Sequence, residues 1–293
     1  MRFLRPMLAG LALAFATPAL AQATRDADPA LWVVQDADTT IYLFGTVHVL
    51  KPGLSWFDEA VWAAFHQSDE LMLEMVEPEE AAMGALIMKL AVNPTGPSLT
   101  EKLPADKRAA YARALTDLGM PAAALDRFDP WFAAVTLSVA GLPKLGYDPA
   151  SGAERVLSAA VKAAGKKVGG LETPEQQLGF FDSLPEPLQL QFLASTVDDF
   201  PKMGSELDAM VASWAAGDPD ALAVKLNESL RESPEIAKVL LSDRNARWAE
   251  WIEQRMRTPG NIFIAVGAGH LAGRDSVQAW LANRKLTAKR ILY

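Results

Sequence analysis

The sequence predicts an α/β fold of mixed α+β character, with a central sheet built from N-terminal, middle and C-terminal strands and a large helical insertion. Three observations predict it. Short apolar runs of strand character lie at both ends of the chain and twice in the middle: Leu31–Gln35, 40–46, "ELMLEMV", "KKVGGLE" and "NIFIAVG". Between them, about 79–140 and 174–257 show helical patterning without strands, which reads as insertion rather than as a ladder of alternating strands and helices. Finally, "YLFGTVH" closes on His48 and "FIAVGAGH" on His270. Both place an imidazole beyond a strand's C-terminal end, where open α/β sheets bind ligands.

The chain opens with Arg2 and Arg5 followed by an uncharged run to Ala21 that ends Ala19-Leu20-Ala21. This is the pattern of a secretory leader, residues 1–21, cut before Gln22. A single domain over 22–293 follows, with disorder expected only from Gln22 to about Asp28. No later run is long and apolar enough to span a bilayer, which takes about 20 residues, so no stable membrane insertion is expected. The sequence has no cysteine, which excludes disulfides, thiolate ligands and a cysteine nucleophile. Export without disulfides points to a bacterial periplasm. Removing Arg2 and Arg5 takes the net charge from −8 to −10, which argues against nucleic acid as a partner.

In chain order, Leu31–Gln35 and 40–46 flank "DAD" and predict a hairpin. Residues 55–68 carry apolar side chains at 57, 61, 64 and 65 behind Ser55, a helix with Ser55 as its cap. "ELMLEMVEP" is a buried strand, and helices broken at Asn93-Pro94, Pro104, Gly119-Met120-Pro121 and Asp129-Pro130 follow. After the turn-rich "LGYDPASGAE", a helix over Ala153–Ala164 leads into the strand "KKVGGLE". Helices to about Arg257, the strand "NIFIAVG", a helix from about Arg274 to Asn283 and a closing run at Ile291 and Leu292 complete the chain.

Two of the three histidines sit in the repeated strand-glycine-histidine setting. Glycine there lets the backbone turn sharply, and an imidazole after it suits metal binding or proton transfer near neutral pH. One such histidine would read as structural; the repeat favours a site. His66, at a helix end with no repeated setting, reads as a surface residue. Glu74 lies inside "LMLEMV", where a charge is costly unless it is paired or metal-bound. Glu172 closes "VGGLE" at a strand end, so His48, Glu74, Glu172 and His270 are expected to converge. Glu154 is equally explained as a first-turn helix acid. Arg244 lies in a helix with other arginines at 247, 255 and 257, which by itself reads as a solvated face. No His-Glu-x-x-His, Gly-x-Ser-x-Gly or P-loop pattern is present.

"YLFGTVH", "LMLEM", "GYDPASGAERVL" with "GKKVGGLETPEQQ", "LSDRNARW" and "FIAVGAGHLAG" together resemble the TraB/GumN proteins, whose relatives include the Tiki metalloproteases. The resemblance runs from Leu31 to about Leu281. It implies an α/β core with a helical insertion and, from the Tiki branch, a divalent-metal-dependent peptidase site. His48 and His270 would be the motif histidines, Glu74 the strand carboxylate and Arg244 a site arginine. Plasmid-transfer and pheromone-shutdown proteins also belong to this group, and a related fold binds haem.

The expected function is therefore a periplasmic metal-dependent hydrolase acting on a peptide or protein. In it His48, His270, Glu74 and Glu154 hold a zinc, manganese or cobalt ion, Glu74 or Glu172 moves the proton, and Arg244 steadies the oxyanion. Two alternatives stand beside it: a haem- or metal-binding protein using both histidines as ligands, and metal-free acid–base chemistry by histidine and glutamate.

Overall fold

The computed structural model of the chain describes residues 24–230 and 233–293. The expected leader and its cleavage point before Gln22 lie outside these residues.

Successive side chains of a strand point to opposite faces, and here both faces are buried. Ile262, Ile264 and Val266 pack with Ile41, Leu43 and Met72 on one face. Phe263 and Ala265 pack with Phe44, Leu71 and Leu73 on the other. Burial on both sides is why these strands read as continuous apolar runs.

The strands are β1 (Arg25–Asp26), β2 (Leu31–Gln35), β3 (Thr39–Thr46), β4 (Leu54–Ser55), β5 (Glu70–Met75), β6 (Lys167–Glu172), β7 (Gly260–Gly267) and β8 (Lys289–Ile291). The main sheet has the order β6-β5-β7-β3-β2-β8. β6, β5, β7 and β3 are mutually parallel, so their C-terminal ends emerge at one edge. β2 pairs antiparallel with β3 through the predicted hairpin. Its "DAD" turn is held by the Asp36 carboxylate, which accepts the backbone N–H groups of Asp38 and Thr39 at 3.1 and 2.9 Å.

Helices α1 (Glu59–Gln67) and α6 (Ala153–Ala164) cover the face of Phe44 and Phe263, hereafter the first face, through Val61, Phe65, Leu157 and Val161. Helices α12 (Asp243–Arg255) and α13 (Val277–Asn283) cover the other through Trp248, Ile252, Val277 and Leu281. The first predicted insertion forms α2 (Glu80–Leu90), α3 (Leu99–Lys102), α4 (Ala105–Leu118) and α5 (Pro130–Ala140). The second forms α7 (Pro174–Asp182), α8 (Glu186–Asp199), α9 (Met203–Ala215), α10 (Pro219–Leu230), α11 (Pro234–Ala237) and a π-helical turn at Lys238–Ser242 that runs into α12. α3, α4, α5 and α8 share a core of their own around Tyr111, Leu115, Leu137 and Leu193, so the two insertions form one helical lobe. Trp214 of α9 ties the second insertion to the sheet by donating its indole N–H to the Gly45 carbonyl at 2.7 Å.

Several local expectations are corrected. α1 begins at Glu59, not Ser55; Ser55 lies in β4 and its hydroxyl bonds the Asp58 carboxylate instead of capping the helix. α13 begins three residues later than expected, at Val277, because Ser276 caps it. Arg25–Asp26, expected to be disordered, pairs parallel with Leu54–Ser55. His66 is exposed as expected and stacks on Trp62 at 3.7 Å. Among the described residues, no helix is long and apolar enough to cross a membrane.

The side chain on which most of the first face converges is Phe44, fully buried and within 6.4 Å, centroid to centroid, of Trp56, Phe263 and Trp214. Phe44→Ala is expected to cost about 3–5 kcal/mol of unfolding free energy, read from the urea midpoint at unchanged m-value.

Candidate functional site

At the shared edge, the parity of each strand decides which flank its last polar residue faces. Glu74 is in phase with Met72 and leans toward α12; Thr46 is in phase with Phe44 and leans toward α6. The edge therefore carries two clusters, one on each flank.

The first is built on His48, two residues past β3. Its Nδ1 lies 2.6 Å from Glu154 Oε1, and the Thr46 hydroxyl donates to the same oxygen. Glu154 sits in the first turn of α6. That helix start is locked to the histidine turn by the Ala153 N–H, which donates to the Val47 carbonyl at 3.0 Å. Gly152 leaves no room for a Cβ, because its backbone lies against the His48 carbonyl. The Glu154 hydrogen bond outweighs the partial desolvation of a ring whose exposed surface faces the cavity and raises the His48 pKa to about 9. Burial pushes the Glu154 carboxyl up, but its bonds to His48 and Thr46 prevail and hold it below its ordinary value. The His48 side chain is 71% exposed and its ring borders the cavity described below.

Arg244, the second residue of α12, is the centre of the second cluster, with a side chain only 8% exposed. Its Nε and Nη2 hold both Glu172 oxygens at 2.7 to 3.2 Å. Nη2 also reaches Glu74 Oε2 at 2.5 Å. Nη1 donates to the Leu240 carbonyl and faces His270 Nε2, each at 3.2 Å. Every N–H of the guanidinium thus has a partner. The structure places Arg244 between Glu74, Glu172 and His270, and with these partners it has no donor left over for an oxyanion.

Glu74 accepts the Gly267 N–H on Oε1 at 2.7 Å, and the Gln177 amide at 2.9 Å on Oε2 beside Arg244. Burial alone would raise its pKa; His270, Arg244, His48 and the Gly267 N–H prevail and hold it at about 2. Arg244 is the permanent charge among these, because burial lowers the His270 pKa to about 4. The His270 tautomer follows from Asn245. Its amide N–H₂ is directed to the Asp275 carbonyl at 2.7 Å, so its oxygen faces His270 Nδ1 at 2.6 Å. Nδ1 therefore carries the proton, and Nε2 presents its lone pair to Arg244.

The motif glycines are not turn residues: neither Gly45 nor Gly267 has positive φ. Both permit close approach instead. A Cβ on Gly45 would lie 3.0 Å from Ala268 Cα. One on Gly267 would lie 3.0 Å from Glu74 Oε1, 3.7 Å from His270 Cδ2 and 3.8 Å from His48 Nε2. His48, Glu74 and His270 thus converge on one point, as predicted. Glu154 joins them through His48. Glu172 does not: both its oxygens are taken by Arg244, and Trp248 Nε1 adds a bond at 3.1 Å. Its carboxylate holds Arg244 in place. Asn245, Gln177 and Thr46 were not anticipated; only the complete burial of a polar Asn245 within a helix could have marked it.

The expected metal set can be tested against these contacts. Glu154 is engaged by His48 and Thr46, and the one lone pair of His270 Nε2 faces Arg244. That leaves His48 Nε2, one lone pair of Glu74 Oε1 and the second oxygen of Glu154 as open donors, where a bound zinc takes three or four protein ligands. Among the described residues, no group of three or more His, Cys, Asp or Glu side chains is placed to hold a metal ion. The open donors are thus present but are not gathered around one point in this arrangement.

The sequence matches the TraB/PrgY/gumN family over residues 30–290. The chain belongs to that family. An uncharacterised protein of Treponema pallidum (strain Nichols) is 23% identical over 274 residues, covering 87% of this chain and 80% of that protein. No solved structure matches the chain. Within this TraB/PrgY/gumN chain the matched segment contains both clusters, from His48 to His270.

The three perturbed groups give a pH profile of stability with opposed signs. His270, near 4 against an ordinary 6.5, favours the folded chain above 6.5 and loses that contribution as pH falls toward 4. Glu74, about 2 against 4.5, does the same between 4.5 and 2. His48, near 9 against 6.5, contributes fully below 6.5 and loses its contribution as pH rises through 9. Urea midpoints from pH 3 to 10 should peak near neutrality, and Glu154→Gln should flatten the alkaline limb and also remove the share of the acid limb that its own lowered pKa supplies.

Proposed function

We propose that this family member is a hydrolase of esters or amides, the peptide bond among them, in which the His48–Glu154 pair activates water without a metal. The observation that carries this is the 2.6 Å contact of His48 Nδ1 with Glu154, in a ring whose Nε2 lies near Glu74 Oε1 and borders a cavity. A carboxylate on Nδ1 fixes the tautomer and stabilises the imidazolium that forms, as in other base–carboxylate pairs. Water between His48 Nε2 and Glu74 Oε1 would offer one proton to each and turn its lone pair outward to the substrate. His48 takes the proton as the water oxygen bonds to the carbonyl carbon. The imidazolium returns it to the leaving group as the carbon–leaving-group bond breaks. Arg244, Glu172 and Asn245 keep Glu74 ionised and His270 neutral. An exported, periplasmic setting is part of the proposal and rests on the leader sequence.

The rate is expected to rise with pH through about 9, the pKa at which His48 becomes a free base. This is read as kcat/KM on p-nitrophenyl octanoate and on an octanoyl anilide. His48→Ala should lower it by about 100-fold or more, and Glu154→Gln should move the midpoint down toward an ordinary imidazole. Chelation with EDTA should leave the rate unchanged. A rate lost to EDTA and restored by one divalent ion would instead establish the metal-dependent peptidase reading, and a rate falling through pH 9 would make His48 an acid.

A further inference from the structure

Above the two clusters lies a cavity of about 650 Å³ between the sheet edge and the helical lobe. Its floor is Thr46, His48, Glu74, Gly267 and His270. Its walls come from α5, α8, α9, α10, α11 and the π-helical turn, and they are largely aliphatic and aromatic: Leu142, Phe192, Phe200, Met203, Met210 and Leu241 border it. This volume is that of a site for a small organic ligand.

The charged groups of this lining are unevenly signed. Among the described residues that border it there is no lysine or arginine, whereas Asp199 and Glu206 are both present. These two exposed carboxylates come from the end of α8 and the start of α9. On the floor His48 stands against Glu154, and Arg244 is shared by Glu74 and Glu172, so the floor supplies no surplus positive charge. What remains is an apolar chamber with a negative wall.

We infer that the substrate class is an amphiphile with an aliphatic body and a neutral or cationic polar end, and that anionic amphiphiles are rejected. The inference rests on the hydrolase reading for which end of the molecule reacts, but not for binding. The aliphatic body is removed from water against the leucine, phenylalanine and methionine side chains, and the methionines let the wall adapt to chains of different shape. A cationic end beside Asp199 and Glu206 gains from both carboxylates, and an anionic end is repelled by both.

Three ligands of equal chain length without a scissile bond test this by calorimetry below their aggregation limits: decyltrimethylammonium, decanol and decanoate. The first two should bind one to one, and decyltrimethylammonium at least about tenfold more tightly than decanoate, or about 1.4 kcal/mol. Asp199→Asn with Glu206→Gln should abolish that preference while decanol still binds. Leu142→Trp, which fills the chamber, should weaken decanol by about tenfold; if that variant does not fold, Met210→Trp serves the same end. Equal binding of decanoate, or binding of none of the three, overturns the inference whatever the hydrolysis assay shows. Binding in the expected order by a chain that hydrolyses neither octanoyl substrate upholds it and overturns the hydrolase reading instead.

Discussion

The guanidinium of Arg244 is the contact on which the site depends. It is buried, and its five N–H groups are distributed over two carboxylates, one backbone carbonyl and one imidazole. These partners come from β5, β6, the π-helical turn and the segment after β7. Removing one member of such a set leaves an uncompensated buried charge, which costs far more than an exposed pair of the same length is worth. The sheet edge and α12 are therefore held in register by charge as well as by the apolar face around Trp248 and Ile252. The planar fork is what a lysine could not supply here.

Two motifs of one pattern, an apolar strand, a glycine and a histidine three residues on, end in opposite chemistry, and the neighbouring shell is the reason. The His48 ring is backed by a carboxylate and opens to a chamber; the His270 ring is backed by a neutral amide, closed in by Trp248 at 4.4 Å and faced by a cation. Burial and charge thus move the two imidazoles in opposite directions from the same starting value. Separation of this kind is how one pocket keeps a strong base and a neutral ring side by side at one pH.

The strands were legible because both sheet faces are buried, so each strand appears as an unbroken apolar run bounded by turns. The helical breaks were legible through proline and glycine. Helix starts were less so: Ser55 has the side chain of a cap, but the short pairing of Leu54–Ser55 with Arg25–Asp26 takes that segment into a strand, which no local pattern reveals. Within the site, position was legible and allegiance was not. His48, Glu74 and His270 are carried to the edge by their strands, so strand ends locate them. Whether a carboxylate there meets a ring, a guanidinium or a metal depends on helices far away in sequence. Glu154, read equally well as a helix acid, becomes the partner of His48, while Glu172, read as a free site acid, is bound by Arg244.

The pairing of β3 with β7 joins the first long strand of the described chain to the last, residue for residue from Thr39 opposite Gly260 to Thr46 opposite Gly267. Contacts of such high sequence separation are closed late and at a large entropic cost. During vectorial synthesis the early strand must wait with its apolar faces uncovered until nearly the whole chain has followed. The working pocket is then the last thing the molecule completes. A chain nicked or stalled before β7 would keep much of the helical lobe's own core yet have no floor beneath it, so a closed cavity in this architecture is also a report that synthesis reached β7.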